Sequence, residues 1–113
     1  METYSGTDFY CDIAITKKIQ LRIEYEDDLV LAYHHTLPFW PLHIVVVPKK
    51  HISSFTDRKT GDDETILAVL DVVRKIAHKV ELEKGECRIL TNLGKYQDSK
   101  HLHFHVSAGP GRD

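Results

Sequence analysis

The chain has 113 residues, 42% of them hydrophobic, enough for one domain with a single modest core. A net charge of −2 excludes bulk electrostatic binding to nucleic acid, and no apolar run approaches the length that crosses a bilayer, so neither nucleic acid nor membrane is an expected partner. Two widely separated cysteines, Cys11 and Cys87, form no disulfide framework and fit reduced thiols in a cytoplasmic protein, and the polar start lacks the apolar core of a leader.

Residues 1–113 read as one domain with a core from about 8 to 109; Met1–Thr7 and Gly109–Asp113 are expected to be loosely held. A short helix is expected over Asp8–Ile15. Gln20–Tyr25 alternates, with Leu21, Ile23 and Tyr25 on the apolar side, which predicts a half-buried strand. The polar turn Glu26-Asp27-Asp28 then leads to a second strand, Leu29–Tyr33, forming a hairpin. Thr36–Pro41 carries two prolines around Leu37, Phe39 and Trp40 and reads as a loop, in which the two aromatic rings could flank a base or simply pack. Leu42–Val47 is β-branched and apolar, as suits a central strand, and it stops at Pro48.

The long helix is predicted over Asp62–Glu83. Ile66, Val69, Leu70, Val73, Ile76, Ala77 and Val80 fall on one face, acids cluster at the start, and Lys84-Gly85 supplies the stop. His78 lies off that stripe and reads as a solvated surface residue, as do Lys49 and Lys50. Glu86–Thr91 is a fourth strand, with Cys87 in the core. Asn92–Lys100 is a polar loop and His101–Ser107 a fifth strand. The order predicts an α+β fold, a five-stranded antiparallel sheet with one long helix and a short N-terminal helix.

Three of the eight histidines, His101, His103 and His105, occupy alternate positions in the last strand. Alternation puts them on one face, about 6.6 Å apart at a rise of about 3.3 Å per residue, while Leu102, Phe104 and Val106 face the core. Three imidazoles on one face suit two chemistries. They can surround an anionic phosphate, with one neutral ring as nucleophile and its neighbours as donors. They can also ligate a catalytic zinc, with Asp98 as an outer carboxylate.

The segments Tyr25–Asp28, Leu31–His34, Pro41–Ile52, Asn92-Leu-Gly94 and His101–Val106 together resemble the histidine-triad family, most closely its nucleotide-binding Hint branch, from about Asp8 to Gly109. The resemblance implies a homodimer that joins Glu86–Thr91 and the Ile66–Val80 helix face to their symmetry mates. It also implies an enzyme that cleaves at the α-phosphate of a nucleoside phosphoramidate or related conjugate, with purine nucleotides as substrates and no cofactor required. His103 matches the nucleophile, His101 the residue that orients it, and His105 and His43 the groups around phosphate and leaving group. Asn92 matches a phosphate contact, and Tyr33 and His34 lie where the family holds base and ribose.

Three positions depart from the family. His35 stands where the ribose-binding acid is expected. The loop before the triad reads Lys95-Tyr96-Gln97-Asp98-Ser99, with Asp98 at the position of an assisting serine. Asp8 replaces the first cysteine of a structural zinc site, which leaves Asp8, Cys11, His51 and His101 as the candidate ligands. Dinucleoside polyphosphate hydrolysis and a non-catalytic nucleotide-binding or interaction module are the alternative functions.

Overall fold

A computed structural model describes residues 8–57 and 59–111; Met1–Thr7 and the last two residues lie outside it. Five strands, β1 (Ile23–Glu26), β2 (Val30–His34), β3 (Leu42–Pro48), β4 (Arg88–Leu90) and β5 (Phe104–Ala108), form one antiparallel sheet in the order β1-β2-β3-β5-β4. Among the described residues the one α-helix, α1 (Asp63–Lys84), crosses one face. The fold is α+β, as the element order implies. Among the described residues no helix is long and apolar enough to cross a membrane.

Strand alternation divides the core in two. Val30, Ala32, Ile44, Val46, Phe104 and Val106 point to the helix side and pack against Val69, Val73, Ile76, Ala77 and Val80. Leu31, Tyr33, Val45 and Val47 point to the other face, where Tyr10 and Ala14 of a short N-terminal helix cover them. That helix (Tyr10–Ala14) is of the wide π type, closed by Ile15 N–H donating to the Tyr10 carbonyl at 2.7 Å. Among the described residues it covers the β2–β3 part of that face, and the cleft lies toward β5 and β4.

Local signals explain the turns. The Asp27 carboxylate accepts from the Leu29 and Val30 amides, both at 2.8 Å, and closes the β1–β2 hairpin. Gly85 ends α1 at φ 77°, and its N–H donates to the Glu81 carbonyl at 2.8 Å.

Several expectations are corrected. β1 begins at Ile23, and both Ile23 and Tyr25 are exposed; this edge strand is bulged between them, and the cover on its face extends only as far as Leu21. Formal strand β5 begins at Phe104, because the Leu102 amide donates to the Ile52 carbonyl instead of to a neighbouring strand. Lys49 and Lys50 are paired, with Glu26 at 2.8 Å and Asp62 at 2.6 Å. Gly109 is held, not loose: its carbonyl accepts from Arg88 at 2.8 Å, and at φ 92° a β-carbon there would lie 2.8 Å from Pro41. Within the chain, Val69, Val73, Ile76, Ala77 and Val80 of the helix stripe pack against the sheet. The large apolar side chains left exposed near it are Leu67, Leu82 and Ile89.

Candidate active site

The open half of the second face holds a cleft of about 330 Å³, a size within the range of small-molecule sites. His103 and His105 reach it from the β5 segment, His43 from β3 and His35 from the loop after β2. The β3–β5 register sets Val45 opposite His105 and His43 opposite Ser107, so the two histidines meet on the diagonal. The rings form a row. Tyr10 lies 4.8 Å from His103, His103 4.9 Å from His105, His105 4.9 Å from His43, and His43 4.8 Å from Trp40, centroid to centroid. His35 stacks on His43 at 4.4 Å.

The hydrogen bonds assign the protons on these neutral rings. His43 Nδ1 accepts from the Phe39 amide at 3.0 Å, so its proton sits on Nε2 and is donated to His105 Nδ1 at 2.7 Å. The His105 proton must then sit on Nε2, a donor. His103 Nδ1 donates to the His101 carbonyl at 2.7 Å, which leaves its Nε2 lone pair free. One ring thus offers a lone pair and its neighbour a donor. Burial and then the neighbouring histidines push His43 down to about 4 and His105 down to about 3. Burial also lowers His103, against the opposing pull of the His101 carbonyl and of the Asp8 and Asp98 charges. The Thr91 hydroxyl donates to the His103 carbonyl at 2.7 Å and fixes that backbone.

His101 is buried and lies outside the cleft lining. Its Nε2 donates to the Pro48 carbonyl at 2.7 Å, and its Nδ1 faces Cys11 Sγ at 3.2 Å and the Asp8 carboxylate at 3.1 Å. His51 Nδ1 lies 2.5 Å from the same carboxylate oxygen. One ligand atom from each of Asp8, Cys11, His51 and His101 falls within 4.8 Å of the others. Two imidazole nitrogens, a carboxylate and a thiol pointed at one spot form a donor set that fits a divalent metal.

Of the other sequence-derived candidates, Asn92, His35, Asp98 and Ser99 line the cleft. Gln97 does not: it is buried, and its side-chain amide donates to the Ser53 carbonyl at 2.7 Å, tying the loop down. Tyr33 is buried in the core beneath Tyr10, and burial raises its phenol. His34, on the opposite face of β2, pairs with Glu24 at 3.1 Å, and Glu24 also binds Lys79 of α1. Neither Tyr33 nor His34 reaches the cleft, because alternation along β2 sends one into the core and the other to the helix side. Sequence reasoning missed Tyr10 and Leu90 as lining residues. Only the tertiary placement of the N-terminal helix and the β4 edge shows them.

The HIT domain model matches residues 16–111. The chain belongs to the HIT family. An uncharacterized HIT-like protein of Rickettsia prowazekii is 36% identical over 99 residues, 84% of this chain and 82% of that protein. A purine nucleoside phosphoramidase of Escherichia coli K12 is 28% identical over 97 residues, with the same two coverages. Among solved structures, a HIT family hydrolase from Legionella pneumophila superposes with a TM-score of 0.78 at 28% identity, covering 91% of this chain and 93% of that one. These matches set the chain among HIT hydrolase-like proteins, and the row of histidines is the part of this HIT fold equipped for chemistry.

Proposed function

We propose that the cleft hydrolyses nucleoside phosphoramidates, purine ones foremost, through a nucleotidyl-His103 intermediate. The observation that carries this reading is the His103 Nδ1 bond to the His101 carbonyl, which leaves Nε2 unprotonated beside the His105 donor. In the first step the Nε2 lone pair attacks the α-phosphorus. The phosphorus–nitrogen bond breaks, and the amine leaves with the bonding pair and takes up a proton. Ser99 is suited to relay that proton from solvent, because its Oγ accepts the Phe9 amide at 3.2 Å and keeps its hydroxyl hydrogen to donate. His105 Nε2 and Asn92 donate to the phosphate oxygens. In the second step water attacks phosphorus and gives up a proton to solvent, the bond to Nε2 breaks with its electron pair returning to that nitrogen, and nucleoside monophosphate leaves with the water oxygen.

The aromatic wall of Phe39 and Trp40 suits a base, and His35 the ribose. Asp8, Cys11, His51 and His101 would hold a divalent metal that ties the N-terminal helix to the triad strand. Its contribution would be structural. A homodimer formed at the β4 edge, with Ile89 and Leu67 covered, completes the reading; light scattering that shows a monomer at micromolar concentration would remove that part.

The test of the activity is direct. Purified protein is incubated with adenosine phosphoramidate and followed by phosphorus NMR, with His103→Ala alongside. Release of adenosine monophosphate by the wild type alone supports the reading. Binding without release would make the chain a nucleotide-binding module.

A further inference from the structure

The two ends of the cleft differ in charge and polarity. The ring row runs from Trp40 through His43 and His105 to His103 and Tyr10, and the Phe9 amide beside Tyr10 is bonded to Ser99. Trp40 therefore marks one end, with Leu37 and Phe39. Asp98 and Ser99, with Tyr96 on the same loop, mark the end nearest the nucleophile.

Among the described residues that line the cleft, Asp98 is the one carboxylate, and none is lysine or arginine. Lys100, on the same loop, turns its ammonium onto the Gly94 and Gln97 carbonyls at 3.1 and 2.8 Å. His43 and His105 are held neutral well below pH 7. Asp98 is therefore the one carboxylate that the described lining sets at the nucleophile end. A polyphosphate leaving group would bring further negative charge toward Asp98, and no lysine or arginine among the described lining residues meets it. Tyr96, 82% exposed, adds a free aromatic face beside the carboxylate, and a ring next to a carboxylate is an environment for a cation.

We infer that the leaving-group end of the cleft selects phosphoramidates whose departing amine carries a second, positively charged group, held by Asp98 and Tyr96, and rejects polyphosphate and acidic leaving groups. This inference rests on the phosphoramidase reading and narrows its substrate class. The second charge takes no part in bond making: the reacting nitrogen leaves with its bonding pair and a proton as before.

Three adenosine phosphoramidates of matched chain length test it, with cadaverine, pentylamine and aminohexanoate as the amine. The expected kcat/KM order is cationic over neutral over acidic, each step about three- to tenfold for a solvent-exposed charge. The ratios should shrink between low salt and about 0.5 M salt. Asp98→Asn should bring the cationic-to-neutral ratio close to one, whatever it does to the absolute rate, and Asp98→Lys should invert it. Equal rates on all three substrates with the wild type, or an unchanged ratio in Asp98→Asn, would overturn the inference and leave the phosphoramidase reading standing. If none of the three is turned over, the phosphoramidase reading fails, and calorimetric binding of the same compounds decides the charge preference by the same ratios.

Discussion

His43 Nε2 donates to His105 Nδ1 across 2.7 Å in the buried part of the cleft, and this bond decides which nitrogen of His105 carries its proton. The relationship depends on the Phe39 amide on the far side of His43, so a loop residue sets the donor that faces the phosphate.

His43→Ala should lower kcat by about 10- to 100-fold with a smaller effect on KM. Without its partner, the His105 proton loses a bias of about 1–3 kcal/mol toward Nε2. Steady-state kinetics on a phosphoramidate checks this. An unchanged kcat would mean that the pair does not set the tautomer.

Acid should destabilise the fold before it protonates the site. In the unfolded chain His43 and His105 take up protons near pH 6.5, whereas in the folded chain they resist until about 4 and about 3. Between those limits the unfolded state binds more protons. Stability therefore falls as pH drops from about 6.5 toward 4, by up to about 1.4 kcal/mol per pH unit for each group. Thermal melts between pH 7 and pH 4.5 check the slope, and His105→Asn should reduce it by close to one proton.

Much of this architecture is legible in the sequence. The β-branched run 42–47, the helix stripe and the Lys84-Gly85 stop each carry a local periodic or capping signal strong enough to fix an element. The triad and His43 announce the site because imidazoles at alternate strand positions must share a face. Less visible is what depends on neighbours distant in sequence. Tyr33 reads like a site residue, yet the N-terminal helix lies over it and buries it. Tyr10 falls in the expected short helix with no mark of the site, yet that same helix brings it onto His103. β1 alternates convincingly, but no described element covers Ile23 or Tyr25.

Metal should act on stability and not on chemistry. Zinc added to the purified protein should raise its melting temperature, and Cys11→Ser or His51→Ala should blunt that rise, because each removes one of the four converging ligand atoms. Exhaustive chelation should lower the melting temperature while turnover persists. Turnover abolished by chelator and restored by zinc would instead make a metal-bound water the nucleophile.

The central claim is that His103 Nε2 forms a bond to phosphorus, and rapid-quench mass spectrometry of the enzyme during turnover of adenosine phosphoramidate tests it most directly. The account predicts an acid-labile adduct of one adenosine monophosphate on the peptide containing His103. That adduct should be absent in His103→Ala, whose turnover should fall by about a thousandfold or more. Product formation with no adduct at any time point, or with the adduct on another residue, would contradict it.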